Sequence, residues 1–343
     1  MSSKLEKDAA WEGSILGTIY KQLFVHPKPI PSTIRLDGQT AIITGANGGL
    51  GFEAARHLLR LGLSRLVVAV RSQNNGESAA SKLRTEFPSA NIEVSILDLS
   101  DYDSVTAFAK RCQQLERIDY AILNAGLQSS KFERNDRTDH EVVFQTNYLS
   151  TALLLLLLTP IMKEKKRNDT TRKPPVLTAV GSDTMYFAEF EASRPIFPRM
   201  DDPARYTQYQ QYRDSKLFLM MFVSRLAEQL DPEDIIVSVC NPGLTAGTGF
   251  THDIENPGFV DRYIIPLFVK AMGRTTPVGA SNYLHALVIG GQESHGGFFS
   301  DWTIKPYPAL MYKKEGRDLT ERLWQETMAE LKSTSALGLR TST

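Results

Sequence analysis

Between an apolar run at residues 41–43 and a stretch of helical periodicity at 50–61 lies Thr44-Gly45-Ala46-Asn47-Gly48-Gly49-Leu50-Gly51. No other segment limits the fold as much. A strand that turns through glycines into a helix is the opening of a βαβ unit. Glycines permit the tight turn and let the backbone approach a pyrophosphate, while the helix N-terminus offers unpaired N–H groups and a favourable dipole. Thr44, Gly45, Asn47, Gly48, Gly49, Leu50 and Gly51 are therefore candidates for cradling a nucleotide. Taken alone, the same glycines also fit a structural turn.

The rest of the chain extends the pattern. Short β-branched runs at 40–44, 65–70, 92–97, 120–123, 176–180 and 235–240 alternate with helical stretches at 50–61, 75–87, 104–115, 140–158 and 215–230. This alternation predicts an α/β fold: a doubly wound, mostly parallel sheet with helices on both faces, and chemistry at the carboxyl ends of the strands. The expected organisation is one catalytic domain at 37–310. An N-terminal extension with an amphipathic helix precedes it (1–36), and a C-terminal helix and tail follow it (311–343). The polar, basic stretch 163–175 reads as an exposed connection. Residues 183–211 leave the alternation and are rich in aromatics, Pro and Asp, which suggests a wall of a substrate pocket.

Charge excludes some classes of partner. With 39 basic and 39 acidic side chains, the formal net charge is zero, which gives no basic surface for nucleic acid and no polybasic membrane patch. Cys112 and Cys240 lie far apart and no signal-peptide-like segment opens the chain, so reduced thiols and a cytoplasmic location are expected. The apolar run 152–158 is too short to span a bilayer, and Pro160 follows it. In residues 11–25, Ile15, Leu16, Ile19, Tyr20, Leu23 and Phe24 form a helical stripe. It would either dock on the protein itself or make peripheral contact with a membrane. The six histidines lack ligand spacing, so no metal site is expected, and His57 and His285 read as structural.

One pair stands out for chemistry. Tyr212 and Lys216 are four residues apart in a helical stretch and so share a face. An adjacent ammonium would lower the phenol pKa and let it exchange protons near neutrality. Ser182 ends the run at 176–180, and Asn124-Ala125-Gly126 ends the run at 120–123. Asn147 interrupts an apolar helix and needs a local or functional hydrogen bond. Asn241-Pro242-Gly243 bends the chain after the run at 235–240.

In this order, the glycine turn, Asn124-Ala125-Gly126, Asn147, Ser182, Tyr212/Lys216 and Pro242-Gly243 resemble the short-chain dehydrogenase/reductase family over about residues 37 to 305. The Ser182-to-Tyr212 distance in sequence, the aromatic insertion and Gly296-Gly297-Phe298-Phe299-Ser300-Asp301 look like its retinol-dehydrogenase-type branch and fungal secondary-metabolism relatives. The resemblance implies hydride transfer between a nicotinamide and a carbonyl or alcohol carbon of a small apolar substrate. Tyr212 would exchange the proton and Ser182 would bond the reacting oxygen. Lys216 would hold the nicotinamide ribose, and Asn147 would position Lys216 through water. Asn124, Ala125, Gly126, Tyr212, Lys216, Pro242, Gly243 and Thr245 would line the cofactor. Asp98 and the Leu99 backbone would meet the adenine, unless Asp98 caps the next helix. After the run at 65–70 stands Arg71 and no acid, which favours NADP(H) over NAD(H). The family's threonine beyond the Pro-Gly turn is replaced by Gly247, flanked by Thr245 and Thr248. Family members often form homodimers through the helices corresponding to 153–158 and 217–223. The N-terminal extension could instead cover that surface.

Overall fold

A computed structural model of the chain describes residues 2–167, 173–190, 195–247, 262–263 and 265–333. Eight strands form one sheet: β1 (Thr40–Thr44), β2 (Arg65–Val70), β3 (Asn91–Ile96), β4 (Tyr120–Leu123), β5 (Val176–Val180), β6 (Ile236–Cys240), β7 (Phe298–Ser300) and β8 (Thr303–Lys305). Their order is β3-β2-β1-β4-β5-β6-β7-β8, parallel throughout except for β8 against β7. Chain direction across the sheet therefore reverses between β1 and β4. That crevice is where ligands bind in open α/β sheets. β1, β5 and β6 are buried at every residue, as strands covered on both faces must be.

The long helices are α1 (Ile15–Phe24), α2 (Gly49–Arg60), α3 (Gln73–Glu86), α4 (Tyr102–Gln113), α5 (Ser150–Arg167), α6 (Gln208–Ala227), α7 (Thr276–Val288) and α8 (Lys314–Ser333). One core packs Ala54, Leu58, Leu83, Tyr283 and Leu287 of α2, α3 and α7 against one sheet face. The other packs Phe108, Leu154, Phe218 and Leu323 of α4, α5, α6 and α8 against the opposite face. Val142–Lys166 is long and apolar enough to cross a membrane, but most of it lies inside this second core.

Several expectations change. α5 runs through Pro160 to Arg167, so residues 163–167 are helix; 168–172 lie outside the described residues. Part of the 183–211 segment serves the core, while Tyr186, Phe187, Phe197 and Tyr206 are half-buried. Met185, Phe190, Ile196 and Met200 are buried, and the Phe190 ring lies 4.9 Å from that of Phe218. Residues 191–194 of this segment lie outside the description.

The face of α6 expected to serve a homodimer is covered by α8, not by the N-terminal extension. The Phe222 and Trp324 rings stack at 5.0 Å, and Tyr148 and Thr327 share a 2.6 Å hydrogen bond. Leu319, Leu323 and Leu331 of α8 are fully buried, which is worth about 2 kcal/mol each. A homodimer built on that face would have to displace this helix.

The N-terminal extension docks elsewhere. Ser14 caps α1 by accepting the Gly17 N–H at 2.8 Å. Ser2 is buried; its Oγ accepts the Phe298 N–H at 2.9 Å, and its carbonyl accepts from Tyr312 at 2.6 Å. Glu12 forms buried ion pairs with Lys21 at 2.7 Å and Lys305 at 2.8 Å. The extension thus docks through the opposite side of α1, where Gly17 and Lys21 are buried, and of the expected stripe only Ile19 is half-buried. Ile15, Leu16 and Phe24 remain 63–71% exposed.

Candidate active site

At the β1 end, Gly45 and Gly49 have φ of +68° and +54°, a region costly for other residues. The Gly45 N–H bonds the Ala69 carbonyl at 2.8 Å. A Cβ on Gly51 would lie 2.6 Å from the Gly45 carbonyl and 2.7 Å from Asn124 Nδ2. Gly51 therefore lets helix and turn close on each other. A Cβ on Gly48 or Gly49 would meet nothing within 4 Å. Ser72, Asp101 and Thr207 cap α3, α4 and α6, but α2 begins at Gly48 with no side-chain cap. Asn47, Gly48 and Gly49 are exposed, and Leu50 is half-buried beside them. The first N–H groups of α2 therefore face open space, which fits a pyrophosphate.

Thr44 and Asn124 prove to be internal struts. The Thr44 hydroxyl accepts the Ala125 N–H at 2.8 Å. Asn124 Nδ2 donates to the Thr44 carbonyl at 3.0 Å, and its Oδ1 accepts from Tyr283 at 3.3 Å. These bonds join the β1 and β4 loops across the switch point. Gly126 is exposed; a Cβ there would lie 3.0 Å from Asn147 Oδ1 and 3.7 Å from Lys216 Nζ.

Asn147 does not sit in regular helix. Residues Gln145–Leu149 form a π-helical turn before α5, the kind of irregularity that recurs at functional sites. Asn147 Oδ1 accepts the Leu127 N–H and its Nδ2 donates to the Leu127 carbonyl, both at 2.8 Å. Nδ2 also lies 3.3 Å from Ser215 Oγ. The side chain thus ties the loop at 124–127 to the helix bearing Lys216.

Tyr212 and Lys216 share a face of α6, with the ammonium 5.6 Å from the ring centroid. Lys216 Nζ donates to the Val180 carbonyl at 2.8 Å, and burial lowers its pKa to about 8. Burial raises the Tyr212 pKa, and a hydrogen bond from Ser182 pulls it down. Burial is the larger of these two effects. Ser182 also accepts from the Thr184 hydroxyl at 2.9 Å, which orients its oxygen.

Further along the edge, Arg71 is exposed, and its guanidinium makes no hydrogen bond or ion pair among the described residues. The first turn of α3 beside it holds no acid. Asp98 is half-buried, and its Oδ1 accepts from the Ser100 N–H at 2.9 Å and hydroxyl at 2.7 Å. It does not cap α4; Asp101 does, accepting the Asp103 N–H at 3.0 Å. The Leu99 carbonyl takes the Ser150 hydroxyl, so the Leu99 N–H is what this peptide can offer a base. Gly243 has φ +76°, and Thr245 Oγ1 donates to its carbonyl at 3.0 Å. Gly247 also has positive φ, at +75°; Thr248 and 249–261 lie outside the described residues. His57 and His285 each bond a backbone carbonyl at 3.0 Å, in keeping with a structural role.

A buried carboxylate also escaped the sequence reading. Glu141 is fully buried, caps the Val143 and Phe144 N–H groups, and accepts from Gln211 at 2.6 Å. It links the start of the Asn147 helix to the residue preceding Tyr212, and burial lifts its pKa to about 7. Glutamate is not a favoured cap, so no sequence signal marks it.

A doubly wound sheet with an uncapped glycine turn at its switch point, and a serine–tyrosine–lysine group on the same edge, defines an oxidoreductase of the dinucleotide-binding class. Comparison with known proteins makes this specific. A short chain dehydrogenase family model matches residues 39–169. The short chain dehydrogenase virL of Hypocrea virens is 48% identical over 331 residues, covering 96% of both chains. The short chain dehydrogenase/reductase mfmJ of Annulohypoxylon moriforme is 42% identical over 314 residues, covering 91% of this chain and 90% of its own. The crystal structure of levodione reductase superposes with a TM-score of 0.60 at 18% identity, over 78% of this chain and 96% of that one. The chain belongs to the short-chain dehydrogenase/reductase family.

Proposed function

We propose that this chain is an NADP(H)-dependent oxidoreductase acting on CH–OH groups. It would interconvert a carbonyl and a primary or secondary alcohol on an apolar small molecule of polyketide or terpenoid type, in cytoplasmic secondary metabolism. The observation that carries the reading is Tyr212: a phenol bonded by Ser182, one helical turn from Lys216, on the edge that holds the open glycine turn.

The residues fit a dinucleotide. Asn47, Gly48, Gly49 and Leu50 would hold the pyrophosphate, Asp98 and Leu99 the adenine, and Gly126 and Lys216 the nicotinamide ribose. Pro242, Gly243 and Thr245 would flank the nicotinamide. When bound, the dinucleotide supplies the hydride. Tyr212 gives its proton to the carbonyl oxygen, while Ser182 donates a hydrogen bond to the same atom. Arg71 supports NADP(H), because a free guanidinium at that strand end can pair with a 2′-phosphate. The test is a panel of lipophilic ketones and aldehydes with NADPH absorbance followed. Oxidation of NADPH is expected for some of them. No oxidation of either NADPH or NADH by any would sink the reading.

Membrane contact is favoured by one further observation. Trp11, Ile15, Leu16, Tyr20, Leu23 and Phe24 are 43–71% exposed on one side of the docked α1. Leu267 and Phe268 are 68% and 48% exposed on the neighbouring Ile265–Met272 helix, and Lys28 and Lys270 are exposed nearby. Exposed apolar and aromatic side chains of this kind suit a bilayer surface. Deleting the extension would strip Ser2, Glu12 and Lys21 from the core, so point substitution is the cleaner test. A Leu16→Glu/Phe24→Glu variant should keep the wild-type melting temperature and lose co-sedimentation with anionic vesicles. Equal sedimentation of the two proteins would count against membrane contact.

A further inference from the structure

Arg274 is a buried cation that no part of the proposed reaction uses. Its Nη2 donates to Asp301 Oδ1 at 2.6 Å, and its guanidinium lies 4.7 Å from the Trp302 ring centroid. Asp301 and Trp302 both have positive φ, +50° and +59°, in the tight turn between β7 and β8. Asn282 Oδ1 holds the Trp302 N–H at 2.8 Å, and Ser281 accepts the indole N–H at 2.9 Å. A strained two-residue turn is thereby fixed, and the arginine is fixed with it.

The rest of the guanidinium faces the turn that follows β6. Nη1 donates to the Pro242 carbonyl at 3.2 Å, and Asn282 Nδ2 donates to the same atom at 3.4 Å. A Cβ on Gly243 would lie 2.4 Å from Nη1, so this glycine both adopts φ +76° and lies flush against the arginine. The backbone continues the clamp: the Arg274 N–H bonds the Leu244 carbonyl at 2.8 Å, and the Ala246 N–H bonds the Arg274 carbonyl at 2.9 Å.

The N-terminal helix reaches the same place. Gln22 Nε2 donates to the Leu244 and Met272 carbonyls, both at 2.8 Å. Arg274 Nη2 lies 3.4 Å from the Lys21 carbonyl. Lys305 stands 3.5 Å from Asp301 and 2.8 Å from Glu12, and Glu12 pairs with Lys21. One buried chain of charges thus joins α1, the β7–β8 turn and residues 242–246.

We propose that Arg274 is a positioning residue for the nicotinamide side of the cofactor site, with Gln22 of α1 as its partner. It holds residues 242–245 in the shape that meets the dinucleotide, and the N-terminal extension forms part of that scaffold. This rests on the reading of the site as one for NADP(H). Lysine at 274 would keep a charge opposite Asp301, but a single ammonium cannot span Asp301 and the Pro242 carbonyl in a planar fork.

The test is NADPH titration by quenching of protein fluorescence, with thermal melting of each protein in parallel. Arg274→Lys is expected to stay folded and to bind NADPH about tenfold more weakly. Arg274→Ala should regain binding when millimolar guanidinium is added, a rescue that loss of general stability would not show. A folded Arg274→Lys with unchanged NADPH affinity would overturn the proposal. If that variant does not fold, Gln22→Leu decides: about threefold weaker binding supports the proposal and unchanged binding overturns it. Absence of NADPH binding by the wild-type protein would overturn the cofactor reading instead, and this proposal with it.

Discussion

Tyr212→Phe should bind NADPH within about twofold of wild type and lose at least about 10³-fold in carbonyl turnover, the upper range for a positioned acid. Only one oxygen is removed, and α6 needs no repacking because the ring remains against Lys216. Ser182 would keep Thr184 as a partner, so the nearby turn should survive. Binding and turnover therefore part company. A variant that retains turnover would show that the proton comes from elsewhere, and a variant that loses both would point to a damaged fold. Circular dichroism and NADPH titration on the same sample separate these results.

Arg71→Asp should weaken NADPH binding by about 100-fold and leave NADH within a few-fold of wild type. The loss combines a charge-assisted contact with new repulsion between two anions. Because Arg71 is exposed and makes no ion pair among the described residues, its removal should not alter the melting temperature. Parallel titrations with the two dinucleotides give the answer directly. Equal losses for both would place Arg71 on a part that the cofactors share and remove the case for the 2′-phosphate.

Much of the architecture could be read from the chain because parallel strands buried on both faces are written as continuous apolar runs. Six strands fall within a residue of the runs identified, from 40–44 to 235–240. β7 and β8 went unread because each has three residues, too few for any period to show. Helix ends were less legible: α6 begins at Gln208, where the polar residues 208–211 hide its first turn under a Thr207 cap. α5 continues past Pro160, with Ile161 and Met162 buried in the core just beyond it, a long-range contact that local signals do not record.

The candidate site was legible as a set of residues and less so as a set of roles. Tyr212, Lys216, Ser182 and Gly126 meet at one edge, as their strand-end positions foretell. Thr44, Asn124 and Asn147 are marked equally clearly by sequence, yet their side chains bond the protein itself. Residue type shows that a hydrogen bond is needed; only geometry shows with what. Arg274 and Glu141 left no trace because their meaning lies in partners far away in sequence. In the aromatic segment Phe and Met look the same in a pocket lining and in a core, so the buried Met185, Phe190 and Met200 could not be singled out.

The docking of the first residues has a consequence for how the molecule is made. Ser2 bonds Phe298, Glu12 bonds Lys305 and Gln22 bonds Met272, pairs separated by 296, 293 and 250 positions. During synthesis α1 emerges well before these partners. Contacts of such separation must wait for the intervening chain to collapse. Throughout that interval α1 has no seat for either side, and its whole apolar surface is open to solvent. A segment made so far ahead of its partners thus settles late, and a chaperone or a bilayer could hold it in the meantime.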